Sequence, residues 1–218
     1  MRLFRDNGLT IVLMLLFVGS IMGHWLAGWR VQTEEAMRHG QQALSLGAYA
    51  LSPGFLSSVF ENWESEFLQM SAYVLLTAIL VQKGSAESKD PDEPPRDEEL
   101  KTQAHKPNAP DILRWGSFWR ALYARSLGLA LALLFLASFL IHWTQSARAA
   151  AQEAIEHGET PIGVIAYLGD AQLWFESFQN WQSEFLSTAV LVVLSIFLRQ
   201  RGSPESKPVA APHGQTGA

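Results

Sequence analysis

Six polar residues stand at matched places in two largely apolar halves of the sequence. They are His24, Asn62 and Glu66 in the first half and, 118 residues later in each case, His142, Asn180 and Glu184. At about 1.5 Å of helical rise per residue, His24 lies about 24 Å beyond Gly8, and Glu66 lies about 25 Å before Lys83. In a hydrocarbon core about 30 Å thick, both side chains would lie near the same outer boundary. The spacing therefore predicts one polar cluster built from both halves.

Three interpretations of this cluster are open. Asn, Glu and His side chains can hydrogen-bond helices together near the headgroups, which is a structural role and the one that we expect. Ionisable groups within spans also mark transport pathways, which would make Glu66 and Glu184 proton or cation sites. His24 and His142 could instead ligate a haem, or hold a divalent metal together with Glu. The chain lacks a CxxCH motif, so any haem would be b-type, but we expect no cofactor.

A weaker metal-binding pattern occurs twice. Glu35 precedes His39 by four residues, and Glu153 precedes His157 by four, which puts each pair on one helix face. Such a pair can hold a metal ion. We expect the simpler role, in which a histidine near the helix C-terminus complements the helix dipole.

The matched spacing reflects an internal duplication. FENWESEFL at residues 60–68 returns as FQNWQSEFL at residues 178–186, with seven of nine positions identical. The same offset aligns KGSAESK after Gln82 with RGSPESK after Gln200, and the match runs from about residue 9 to residue 89. A repeat of this kind implies two copies of one structural unit.

Each copy contains two apolar stretches of spanning length or close to it. They run over residues 8–29, 67–81, 127–143 and 185–198. A signal peptide would also explain the first stretch, but its internal counterpart cannot be one, so we expect a retained transmembrane helix. Helices should end at Gly40 and Gly158 as glycine C-caps, and Ser52 with Pro53 and Asp170 should begin the second helix of each copy.

The basic residues predict the orientation. If both termini and the central linker share one side of the membrane, that side holds thirteen Lys and Arg residues, against Arg30, Arg38 and Arg148 on the other. The excess predicts cytoplasmic termini. We therefore expect an all-α integral membrane protein of four transmembrane helices, arranged as two parallel hairpin repeats about a pseudo-twofold axis along the membrane normal.

The domain organisation follows from the same pattern. We expect a first hairpin over residues 1–89, a disordered cytoplasmic linker over 90–112, an interfacial segment with the second hairpin over 113–207, and a flexible tail over 208–218. An interfacial aromatic belt is predicted from Trp25, Trp63, Trp143 and Trp181.

Several function classes are disfavoured. The chain has no cysteine, phosphate-binding loop, HExxH or GxSxG motif, so we expect no enzyme. Its net charge of -5 and the lack of a basic aromatic patch argue against nucleic-acid binding.

FRDNGL at residues 4–9, the two NWxSEFL segments and RQRGSPESKP at residues 199–208 together resemble a family of bacterial membrane proteins described only as a domain of unknown function. The resemblance implies a multi-pass protein of the bacterial inner membrane and brings no activity with it. The partners that we expect are the lipid bilayer and other membrane proteins, or further copies of the chain. The expected role is structural or accessory.

Overall fold

Long helices dominate the chain. The computed structural model describes residues 2–90, 92–93 and 100–217, and every regular element within these ranges is helical. The α-helices are α1 (Arg2–Arg38), α2 (Leu46–Tyr49), α3 (Pro53–Ile79), α4 (Leu100–Gln103), α5 (Ser117–Tyr123), α6 (Ser126–Glu156) and α7 (Ala171–Phe197), with 3-10 turns at Asp111–Arg114 and Ala166–Gly169. The predicted all-α class is confirmed for these residues.

The first helix of each copy ends as the sequence predicts. Gly40 and Gly158 have positive φ angles of 66° and 73°, which favour glycine because it has no Cβ. The N–H of Gln41 donates to the Ala36 carbonyl at 2.8 Å, and Glu159 donates the equivalent bond at 2.7 Å. Both helices therefore stop in the same Schellman-type cap, and the chain turns into its connector at the same place in each copy.

The second helix of each copy begins at a polar cap, also as predicted. The Ser52 hydroxyl accepts the N–H of Phe55 at 3.3 Å, directly before Pro53 begins α3. Asp170 caps α7 by accepting the N–H of Gln172 at 2.8 Å. These bonds satisfy backbone donors that have no partner inside a first helical turn.

Two helices are long and apolar enough to cross a membrane. They cover Leu3–Arg38 and Ser126–Glu156 within the described ranges, and the most apolar stretch of the first contains no buried residue. The apolar parts of α3 and α7 are shorter, because each of these helices also contains the polar motif. The second and fourth spans, in α3 and α7, therefore stay predictions.

Contacts divide the chain into two compact units. One contains the chain up to Val59 together with Ile141–Leu168, and the other contains Phe60–Leu140 together with the chain from Gly169 onward. Each unit therefore draws residues from both copies of the repeat.

The predicted linker lies partly outside the described residues, at position 91 and positions 94–99. Where the description resumes, the guanidinium of Arg114 donates to the Ala104 carbonyl at 3.1 Å. In the tail, Thr216 Oγ1 accepts the N–H of Gly84 at 2.9 Å. The flexibility expected of residues 208–218 stays a prediction.

Candidate functional site

In the first unit, the matching tryptophans of the two copies make the same hydrogen bond. Trp25 Nε1 donates to the Leu46 carbonyl at 3.1 Å, and Trp143 Nε1 donates to the Val164 carbonyl at 2.9 Å. Donors and acceptors are both related by the 118-residue offset. These two members of the predicted aromatic belt thus hold the connector of their own copy against the first helix.

A tyrosine in each connector reaches the same position of the first helix but meets a different residue there. A Cβ built on Gly28 would overlap the hydroxyl of Tyr49, so a larger residue here would require the tyrosine side chain to move. In the second copy the equivalent position is Ser146, whose hydroxyl hydrogen-bonds the buried Tyr167 hydroxyl at 3.0 Å. Both copies therefore have this tyrosine contact. In the first copy it is a close approach to a glycine, and in the second copy it is a hydrogen bond to a serine.

The two candidate histidines lie in this unit. Ser58 Oγ lies 3.2 Å from Nε2 of His24, and the His24 ring packs on Phe55 with 5.1 Å between ring centroids. His142 is completely buried. The offset places Glu176 at the position of Ser58, so this place in the repeat holds different residue types in the two copies. The sequence analysis did not identify Ser58, because one serine among many carries no signal.

In the second unit, the two copies of the motif bond to each other. The side-chain amide of Asn180 donates to the Glu61 carboxylate. Trp181 Nε1 donates to Glu64 Oε1 at 2.9 Å, and Glu64 is fully buried. The candidate residue Asn180 and the belt residue Trp181 are therefore partners of the first copy.

Both acceptors stand at the only positions where the two motif copies differ. Gln179 and Gln182 replace Glu61 and Glu64 in the second copy. A carboxylate accepts a stronger hydrogen bond than a neutral amide does, so the bonds that join the motif copies depend on the acidic side chains of the first copy. The two mismatches are visible in the sequence, but only the structure shows that both acidic residues accept hydrogen bonds from the second copy.

The remaining polar residues of α3 and α7 occupy less buried places. Gln69 donates to the Thr188 hydroxyl, which continues the line of polar bonds between the two helices. Glu66 is exposed and Glu184 is half-buried, and their charges interact. The predicted convergence of these two glutamates with His24 and His142 stays a prediction. Asn62 is exposed, and its backbone carbonyl accepts the Ser65 hydroxyl at 2.7 Å.

The weak metal pairs behave as helix ends. His157 Nδ1 donates to the backbone carbonyl of Glu153 at 2.8 Å, which is the interaction expected at a helix C-terminus. Glu35 and His39 are both exposed. A metal site at either pair stays a prediction.

The two basic motifs after α3 and α7 fold into the same turn. Ser88 Oγ accepts the N–H of Gln82 at 3.0 Å, and Ser206 Oγ accepts the N–H of Gln200 at 2.9 Å. The glycine in each turn has positive φ, as Gly84 shows with 87°. Both motifs are therefore closed loops with the same internal hydrogen bond.

The lysines that end these motifs differ sharply. Lys89 is exposed and its ammonium donates to the Ala78 carbonyl at 2.5 Å. Lys207 is fully buried and its ammonium lies within hydrogen-bond distance of four backbone carbonyls, those of Gly84 (2.5 Å), His213 (2.8 Å), Gln215 (2.9 Å) and Pro212 (3.3 Å). The second lysine therefore ties the tail to the loop of the first copy.

Comparison with known proteins identifies the family. The chain belongs to the family described as a domain of unknown function, DUF6766, and the match extends over residues 1–218. No curated protein and no solved structure matches the chain. The resemblance to a family without an assigned function is thus confirmed.

Proposed function

We propose that this member of the DUF6766 family is a multi-pass protein of the bacterial inner membrane with a structural or accessory role. The observation that carries the proposal is the pairing of the two motif copies in the second unit. Trp181 and Asn180 bond to Glu64 and Glu61, so polar side chains that could have served chemistry are used to join helices. This use is typical of polar residues that hold membrane helices together.

The exposed apolar surface supports the membrane part of the proposal. Leu13 and Leu16 on α1 are 54% and 62% exposed, and Leu133 on α6 is 66% exposed. A water-soluble chain would cover such a surface, whereas lipid solvates it directly. We propose four spans in two parallel hairpins, with both termini on the cytoplasmic side, as the distribution of Lys and Arg favours.

An aromatic segment beside α5 supports an interaction role. Trp115 and Phe118 are 63% and 69% exposed, and both rings pack edge-on against Trp119. Aromatic residues of this kind are enriched at membrane interfaces and in protein contacts. The proposed partners are therefore the bilayer and other membrane proteins, or further copies of the chain.

The transport alternative has one specific observation in its favour, which is the interaction between the charges of Glu66 and Glu184. Equivalent acidic groups that approach each other between repeats can exchange a proton or bind a cation. The cofactor alternative is less favoured, because Nε2 of His24 is already within hydrogen-bond distance of Ser58.

Reconstitution separates these roles. The Glu66→Gln, Glu184→Gln double variant and the wild type are placed in liposomes that contain a pH or cation indicator. The structural role predicts equal fluxes, with any change confined to thermal unfolding or oligomer size. Loss of a pH- or cation-dependent flux in a folded double variant would contradict it.

The Glu61→Gln, Glu64→Gln double variant is the matched comparison, because it installs the second copy's own residues. We expect it to lower thermal stability more than the first double variant does, since Glu64 is buried and Glu66 is exposed. Absorption spectra and elemental analysis of the same preparations test the cofactor alternative. A haem band or stoichiometric metal that is lost in His24→Ala would overturn the structural role.

A further inference from the structure

A cavity of about 400 Å³ lies between α3 and α7 in the second unit. Its walls are mainly apolar, with Leu76 from α3, Leu80 directly after it, and Phe185 and Val192 from α7. This volume falls in the range of sites that bind small molecules, which runs from roughly 300 to 1,000 Å³. The apolar walls favour a hydrocarbon body.

One end of the cavity carries a carboxylate. Glu87 lines this end, and Tyr73 donates its hydroxyl hydrogen to Glu87 Oε2 at 3.0 Å. The other oxygen, Oε1, is buried and has no hydrogen-bond partner among the described residues. A buried acceptor without a donor is costly, so this oxygen marks a place for a donor from outside the chain.

The chain's own ammonium groups near this end are committed elsewhere. Lys89 donates to the Ala78 carbonyl, and Lys207 is enclosed by backbone carbonyls. The ion pairs formed within the described residues join Arg5 to Asp6 and Arg114 to Asp111, so Glu87 takes part in none of them. The Glu205 carboxyl lies within hydrogen-bond reach of Glu87, but two ionised carboxylates offer each other no donor, so Glu205 adds its negative charge to that of Glu87.

We propose that this cavity binds an amphipathic primary ammonium ion, with its hydrocarbon chain between Leu76 and Val192 and its ammonium group on Glu87. Charge complementarity selects a cation, because an anionic headgroup would be repelled by Glu87 and Glu205. The unpartnered oxygen selects an N–H donor, which a quaternary ammonium lacks. The apolar walls exclude small hydrophilic cations, which would lose their hydration there. This site goes beyond the accessory role and does not depend on it.

The test uses the full chain in phosphatidylcholine nanodiscs and labelled decylammonium as the probe, measured by equilibrium dialysis against nanodiscs without protein. We expect saturable binding of about one probe per chain. Glu87→Gln keeps the shape of the side chain and removes its charge, and we expect at least about a tenfold loss of affinity, because the probe loses its charge-assisted hydrogen bond. Glu159→Gln, at an exposed position of the other unit, should bind the probe as the wild type does, because it leaves the cavity and Glu87 unchanged.

A second variant, which fills the cavity, tests the site independently in case Glu87→Gln does not fold. Ala72→Phe fills the apolar part and leaves Glu87 in place, and we expect it to lose binding as well. Equal binding of neutral decanol and decylammonium, or unchanged binding in Glu87→Gln, would overturn the proposal. Loss of probe binding when phosphatidylethanolamine is added to the nanodiscs would support the proposal and identify a lipid headgroup as the source of the primary ammonium group, whereas retained binding would support a free amine as the source.

Discussion

The indole of Trp181 donates a 2.9 Å hydrogen bond to the carboxylate of Glu64, and this carboxylate is fully buried. The bond joins the second copy of the motif to the first. We expect Glu64→Ala to lower the free energy of unfolding by about 1–3 kcal/mol, because a buried donor loses its acceptor. Thermal unfolding in mild detergent measures the change. Glu64→Gln keeps an oxygen acceptor and should cost less.

Gln182→Ala is the control for this prediction. Gln182 is the counterpart of Glu64 in the second copy and is exposed. It should unfold within about 0.5 kcal/mol of the wild type, as surface substitutions usually do. Equal losses at positions 64 and 182 would mean that the Trp181 bond does not stabilise the pairing of the copies.

The close approach of Tyr49 to Gly28 gives a second prediction. We expect Gly28→Ala to destabilise the chain by about 1–3 kcal/mol, because its Cβ would overlap the tyrosine hydroxyl. Adding Tyr49→Phe removes the overlapping oxygen and should restore part of the loss. In the second copy, Ser146→Ala loses only the hydrogen bond to Tyr167, at a cost of about 1 kcal/mol. Chemical unfolding of all four proteins tests this, and a Gly28→Ala protein as stable as the wild type would contradict it.

Lys207 provides a third prediction, about the tail. Its ammonium lies between the Gly84 carbonyl and the carbonyls of residues 212, 213 and 215, and so links the tail to the first loop. Lys207→Met removes this link and should release residues 208–217. Hydrogen exchange and limited proteolysis of this segment should both increase several-fold. Lys89→Met, at the equivalent exposed position, should leave the tail protected. Unchanged protection in Lys207→Met would show that the other tail contacts are sufficient.

Glu87 predicts a pH dependence. Burial, followed by a hydrogen bond with the Glu205 carboxyl and the charge of Glu205, raises the pKa of the Glu87 carboxyl, while the hydrogen bond from Tyr73 opposes the rise. The folded chain therefore holds this proton more tightly than the unfolded chain does, and this group's contribution to stability falls as pH rises from the ordinary glutamate pKa through the raised one. Glu87→Gln cannot ionise, so its stability relative to the wild type should increase over that interval.

Thermal unfolding between acidic and neutral pH measures this difference. Glu159→Gln, at an exposed position of the other unit, is the control and should follow the wild type at every pH. A parallel pH dependence of wild type and Glu87→Gln would contradict the account of Glu87.

The sequence predicted the helices well and the hydrogen-bond partners of their side chains poorly. Apolar length, caps and the 118-residue offset are local properties, and they identified both long apolar helices and the glycine ends at Gly40 and Gly158. Helical rise predicts how deep a residue lies in the membrane but not which side of the helix contacts a neighbouring helix. The depth argument therefore favoured Glu66. The structure buries Glu64 instead, two residues away and about 200° around the helix. Lys207 could not be foreseen, because its carbonyl partners lie in irregular chain that no periodicity describes.

The central claim is that two parallel hairpins place both termini and the linker on one side of the membrane. Because the chain has no cysteine, single cysteines can be introduced one at a time and labelled with a membrane-impermeant maleimide. The exposed positions Gln41 and Glu159 lie in the two connectors, Asp92 in the linker and Gly214 in the tail. We predict labelling of the first two in intact bacterial cells, and of the last two only after permeabilisation. Labelling of one connector without the other, or of Asp92→Cys in intact cells, would contradict the parallel hairpins.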